Sequence, residues 1–248
     1  DWIAPRIRAT TQGPAEVRVW GLEAGLGIGL CGPSSALAFE LLWAPVDTAV
    51  RFVIANARGA GLPGPILAHV LHAVDSCLGA WVQRRGRVVA LPHAARTLLR
   101  QVLPLAGARV PDARGVRPGP LGSDGDRVEL AFDEAVLPAP VTDVACRALE
   151  LAALVGAADD ALAEGRLEAA RAGYVAALEQ APRHPEISRL VAEIDLAHGG
   201  RWESALGLLV DAEAAIHAGP VAAELLEAVG DHEGARAALA EALARETY

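Results

Sequence analysis

His69, His72 and Asp75 fall at i, i+3 and i+6 of a segment with helical spacing, which sets their side chains along one flank as a candidate metal set. Over six residues that flank drifts round the helix, and a fourth ligand requires His93 to fold over. A polar edge on a core helix, with one or two histidines hydrogen-bonded, is the favoured account, and no metal is expected. Gly27-Ile-Gly-Leu-Cys-Gly32 fits the G-x-G-x-x-G spacing of a dinucleotide fingerprint. That chemistry needs a helix directly after the glycines and an acid about 20 residues on, at the end of a second strand. Asp47 lies nearest, after Ala44-Pro45 in a turn, so a glycine-rich strand and turn is the reading. Cys31, Cys77 and Cys146 are odd in number and widely spaced, and read as reduced, buried thiols.

The composition excludes more than it offers. All 22 basic residues are arginine, which removes the Walker lysine, the pyridoxal Schiff-base lysine, the kinase lysine and the Ser-x-x-Lys acyl enzymes. Neither G-x-S-x-G nor H-E-x-x-H occurs. Nothing specifies catalysis, and the chain is read as a non-enzyme without a cofactor. A GC-rich bacterial genome, which replaces lysine by arginine, is the simplest source of this composition, and the missing initiator Met reads as a fragment or a processed form.

The elements that would position these residues divide near residue 140. The 52% hydrophobic content with only 4% aromatic residues suits close helix packing on small side chains. Residues 1–150 carry 15 Arg against 14 acids, net +1, whereas residues 151–248 carry 7 Arg against 17 acids, net −10. An acidic surface repels phosphate backbones and anionic lipid, so nucleic acid and membrane are not expected as partners, and a basic segment is. No apolar run of about 20 residues is present, and the cytoplasm is the expected compartment.

Val17 and Val19 alternate with charged residues, and Leu26, Ile28 and Leu30 alternate with glycines, which predicts strands. Ala36–Trp43 and Ala49–Ile54 extend a meander, or form short helices capped by Ser35 and Asp47. Pro65–Val82 has the spacing of a core helix, Arg87–Leu91 of a short strand and Ala94–Leu105 of a second helix. Gly107–Asp126, rich in Pro and Gly, has the composition of an exposed loop, and Arg127–Phe132 alternates again and returns to the sheet. Residues 1–140 are therefore an α+β domain, and after Thr142 as N-cap the signals to the end are helical.

Three segments in residues 141–248 share one pattern. Gly165, Leu167, Glu168, Ala170, Tyr174 and Ala177 are matched by Gly200, Trp202, Glu203, Ala205, Leu209 and Ala212, and by Gly230, His232, Glu233, Ala235, Leu239 and Ala242. Glycine ends one helix at a tight turn, and the alanines let antiparallel helices approach while the large residue fills the seam. The segment resembles the tetratricopeptide repeat family, which implies an all-α array of about three helical hairpins. Leu154, Ala157, Ala158 and Ala161 match the preceding helix of that pattern. Three repeats are close to the minimum for stability, so the first domain, more chain or another subunit is expected to cover an end.

The resemblance implies a protein-binding adaptor or scaffold whose groove is formed by the first helix of each pair. The positions that match are Asp159 and Asp160, then Leu190, Ile194 and His198. A groove that clamps a terminal carboxylate needs Lys, Arg and Asn there, so a basic or amphipathic segment is the expected occupant. Two alternatives stand beside it: an enzyme or metal-binding first domain centred on His69, His72 and Asp75 that the repeats recruit, and a self-associating structural subunit. Trp202 and Tyr174 are read as packing residues.

Overall fold

The computed structural model describes residues 16–77, 82–113, 115–124, 127–133, 140–197, 201, 204–205, 207–208, 223, 226–227 and 230–246. The chain is mixed α+β, an antiparallel sheet followed by helices, and it divides into two compact units. One comprises the described residues up to Gly61 with Val70–Gly156, and the other Leu62–His69 with the described residues from Ala157 onward. Among the described residues no helix is long and apolar enough to cross a membrane.

In the first unit, β1 (Glu16–Leu22), β2 (Gly25–Cys31), β3 (Ala36–Trp43) and β4 (Val50–Ala60) form an antiparallel meander. The chain leaves it through α1 (Ile66–Cys77) and returns as β5 (Gln83–Arg85) and β6 (Val88–Leu91), giving the order β1-β2-β3-β4-β6-β5. Ala36–Trp43 and the run from Val50 are thus strands, and the capped-helix alternative is not what forms. A bulge interrupts β3 and β4 near Ala38 and Glu40. Asn56 takes the left-handed conformation opposite it, φ 50°, and its side-chain amide donates to Glu40 Oε2 at 2.8 Å.

Both faces of the central strands are covered. Leu42 and Val53 pack on Ala145 and Ala152 of α3 (Asp143–Ala163), so one side of the sheet meets a helix. On the opposite side Trp43, Val50 and Ala94 form a second core with Leu121 and Phe132 packed against it. Trp43 lies across from Phe52 in the ladder, with ring centroids 5.3 Å apart in an edge-to-face arrangement.

Ala94 opens α2 (Ala94–Val102), which tightens into a 3-10 turn at Leu103–Ala106, where Pro104 cannot continue the helical ladder. Leu121 and Phe132 come from a separate hairpin of β7 (Arg117–Asp124) and β8 (Arg127–Asp133). The expectation of a loop over Gly107–Asp126 is corrected here: its second part is strand, and Arg127–Phe132 pairs with it rather than joining the main sheet. Pro118 and Pro120 are tolerated because a two-stranded ladder is all edge and its register breaks between Pro118 and Leu121. Thr142 caps α3, its hydroxyl accepting the Ala145 N–H at 3.3 Å.

In the second unit, α3 from Ala157 is followed by α4 (Leu167–Gln180), α5 (Pro185–Ala197) and, later, α6 (His232–Glu246). Gly173 lets α4 approach α3, since a Cβ there would stand 2.8 Å from that of Ala158. Two turns close alike. Gly165 and Gly230 are both left-handed, φ 73° and 84°. Gly165 N–H donates to Leu162 O and Arg166 N–H to Ala161 O, and Gly230 N–H donates to Glu227 O and Asp231 N–H to Leu226 O.

Candidate functional site

On α1 two of the three candidate metal residues have other partners, and the third, His72, is exposed. His69 Nε2 is 2.6 Å from the Pro63 carbonyl, and the Asp75 carboxylate accepts from Arg84 Nε and Nη2 at 2.6 and 2.8 Å. Arg84 also donates to Gly86 O at 2.6 Å, which pins the β5–β6 turn. His93, at the start of α2, sits 3.3 Å from Thr48 Oγ1 through its Nδ1. Among the described residues no three metal-ligating side chains come together.

The glycines of Gly27–Gly32 lie in and just after β2, with no helix behind them. They serve packing. The indole of Trp20, on β1, lies across Gly27 and Gly29, and a Cβ on Gly27 would occupy the ring's own position. Cys31 and Cys146 are exposed, which corrects the expectation of buried thiols: Cys31 ends β2 where the sheet's cover stops, and Cys146 follows Ala145, the residue that faces the core. The side chain of Cys77 lies outside the described residues.

Of the groove candidates, Asp159 is fully buried and its Oδ1 accepts the Tyr174 hydroxyl at 2.7 Å. Leu190 and Ile194 are also fully buried on α5, so in this structure they pack. Asp160 is half-buried and reaches the surface. His198 and Trp202 lie outside the described residues.

α5 is buried on every side from Ile187 to Asp195, and it carries charge inward. Asp195, fully buried, takes a two-point hydrogen bond from Arg171 of α4 at 2.5 and 3.0 Å. Arg201 stands 3.5 Å from the same carboxylate and 3.2 Å from Glu168, so two cations and two acids alternate. The hydrogen bond to Asp195 holds the Arg171 pKa above the ordinary arginine value. Arg189 and Glu193 pair one turn apart at 3.7 Å, and Glu193 Oε2 accepts the Ile66 N–H at 3.1 Å. A carboxylate at the first N–H groups of α1 both satisfies an orphan donor and opposes the helix dipole.

No family model, curated protein or solved structure matches this chain. The buried acids Asp159, Glu193 and Asp195 are matched by Tyr174, Ile66 N–H, Arg189, Arg171 and Arg201, so they hold the helices together and are not open to a ligand. Sequence reasoning passed over this network because Arg171 and Asp195 are 24 residues apart on successive helices. The signal available was the pair of acids, Glu193 and Asp195, inside the otherwise apolar run Leu190–Leu196, which demands buried cations or donors.

Proposed function

We propose that the chain is an adaptor or scaffold that holds another protein through its C-terminal helices, a tetratricopeptide-like array, and that the bound segment is basic or amphipathic. The observation that carries this reading is the recurrence of one closed glycine turn at two of the three motifs, Gly165 and Gly230, with a buried helical alanine five residues after the glycine position of each motif. Ala170, Ala205 and Ala235 each donate a backbone hydrogen bond to the residue four before, namely Arg166, Arg201 and Asp231. All three alanines are buried, and the left-handed glycine with its two closing bonds precedes the first and the third. Equivalent residues in equivalent local structure support a repeated unit, and repeated helical units build extended binding surfaces. The net charge of −10 over residues 151–248 favours a cationic partner. The cytoplasm is the compartment this reading assigns.

Asp160 is the groove position that tests it, because it is half-buried where Asp159 is fully buried. The experiment is fluorescence anisotropy of the whole chain with an arginine-rich amphipathic peptide and with an acidic peptide of the same apolar content. The reading expects binding of the basic peptide alone, weakened severalfold by Asp160→Asn and by raising the salt from about 50 to 300 mM. Equal binding of both peptides, or an affinity indifferent to Asp160 and to salt, rejects the acidic groove.

A further inference from the structure

The first unit holds a cleft unrelated to the helices just discussed. It has a volume of about 480 Å³, and its lining includes Leu98 and Leu99 of α2 and Phe132 of β8. That size falls in the range of about 300–1,000 Å³ typical of small-molecule sites. A smaller recess of about 200 Å³ adjoins it, sharing Asp112 and lined by Arg96 and Arg100.

The two arginines are one helical turn apart on α2, so their guanidinium groups stand on the same side. Among the described residues neither makes an ion pair or hydrogen bond, and Asp112, the one acid lining the recess, already has an interaction partner. Two cations against one carboxylate leave the polar end of the cleft positive. The other end is apolar, and Phe132 is also packed on the Trp43, Val50 and Ala94 core, which fixes that wall.

We propose that this cleft binds a small amphipathic carboxylate, its apolar body between Leu98, Leu99 and Phe132 and its carboxylate on Arg96 and Arg100. Arginine suits the task because its planar fork meets a carboxylate at two points. A neutral molecule of the same body leaves the guanidinium groups without an anion, so charge selection is the signature.

The test is isothermal titration calorimetry of the whole chain at low salt with octanoate, and with 1-octanol as the uncharged control. Octanoate is expected to bind saturably and 1-octanol at least about tenfold more weakly, a difference of about 1.4 kcal/mol. Arg96→Gln with Arg100→Gln, both at the surface end of the cleft, is expected to lower octanoate affinity at least about tenfold while leaving the thermal midpoint in place. Asp112→Asn is expected to raise it severalfold by removing the one opposing carboxylate. No saturable heat with octanoate, equal binding of the alcohol, or full affinity in the double variant overturns the proposal.

Discussion

The Asp159 carboxylate has been taken out of water, and its bond to the Tyr174 hydroxyl is part of what makes that tolerable. Tyr174→Phe removes the donor and keeps the ring. It is expected to lower stability by about 1–3 kcal/mol in urea unfolding, the range for depriving a buried acceptor of a partner. Asp159→Asn combined with it should cost less than the sum of the two single changes. The Arg171 and Asp195 pair is the stronger test. Asp195 is fully buried, so Arg171→Gln removes its two-point partner and leaves only Arg201 at 3.5 Å, and a loss of about 3 kcal/mol is expected. The pH dependence has a definite sign. The folded pKa of Arg171 is raised above the ordinary arginine value, so its contribution is fully present below that ordinary value and is lost only as pH climbs through the raised one. Between about pH 5 and 9 the arginine stays charged and therefore adds no slope of its own to the parent's stability profile.

At the scale of elements, glycines mark where backbones meet. A Cβ on Gly25 would collide with the Leu41 carbonyl of β3, and a backbone cannot swing aside as Trp20 can from Gly27. Gly25→Ala is expected to cost about 2–3 kcal/mol and Gly29→Ala, whose nearest neighbour is the Trp20 ring at 3.4 Å, clearly less, both by thermal melts. Gly165→Ala and Gly230→Ala each put a side chain into left-handed backbone in open space, so each should cost about 1–2 kcal/mol, alike if the turns are equivalent. Much of this level was legible. The alternation around Val17 and around Ile28, the Thr142 cap and the glycine turns at Gly165 and Gly230 could all be read because local physics sets them. What could not be read needed tertiary information. β3 and β4 are buried on both faces, so their apolar runs lost the period of two that separates strand from helix. The β7 strand hid behind Pro118 and Pro120, since composition alone does not reveal a bulged edge. The cleft between α2 and β8 was invisible because Phe132 is 33 residues beyond Leu99.

For the whole molecule, the division into units does not follow a single cut in the chain. Leu62–His69 belongs with the helices that begin after Gly156, although the rest of α1 belongs with the sheet, and α3 runs through the boundary at Gly156. One bond shows what this means. Glu193, buried on α5, accepts the Ile66 N–H, so a fragment of residues 141–248 keeps the acceptor and loses the donor 127 residues away. The fragment is expected to retain helical circular dichroism, because α3, α4 and α5 and the Arg171–Asp195 pair are intact in it. It should unfold at lower urea than the helical transition of the whole chain, with a shallower slope, since less surface is exposed per cooperative step. Glu193→Ala in the whole chain should lower that transition too, since it removes the bond and also takes the carboxylate from the buried Arg189. A fragment as stable as the whole chain's helical transition would mean that Leu62–His69 contributes nothing to the helices, and the boundary would then lie at the start of α3, where the charge balance changes from near neutral to strongly acidic.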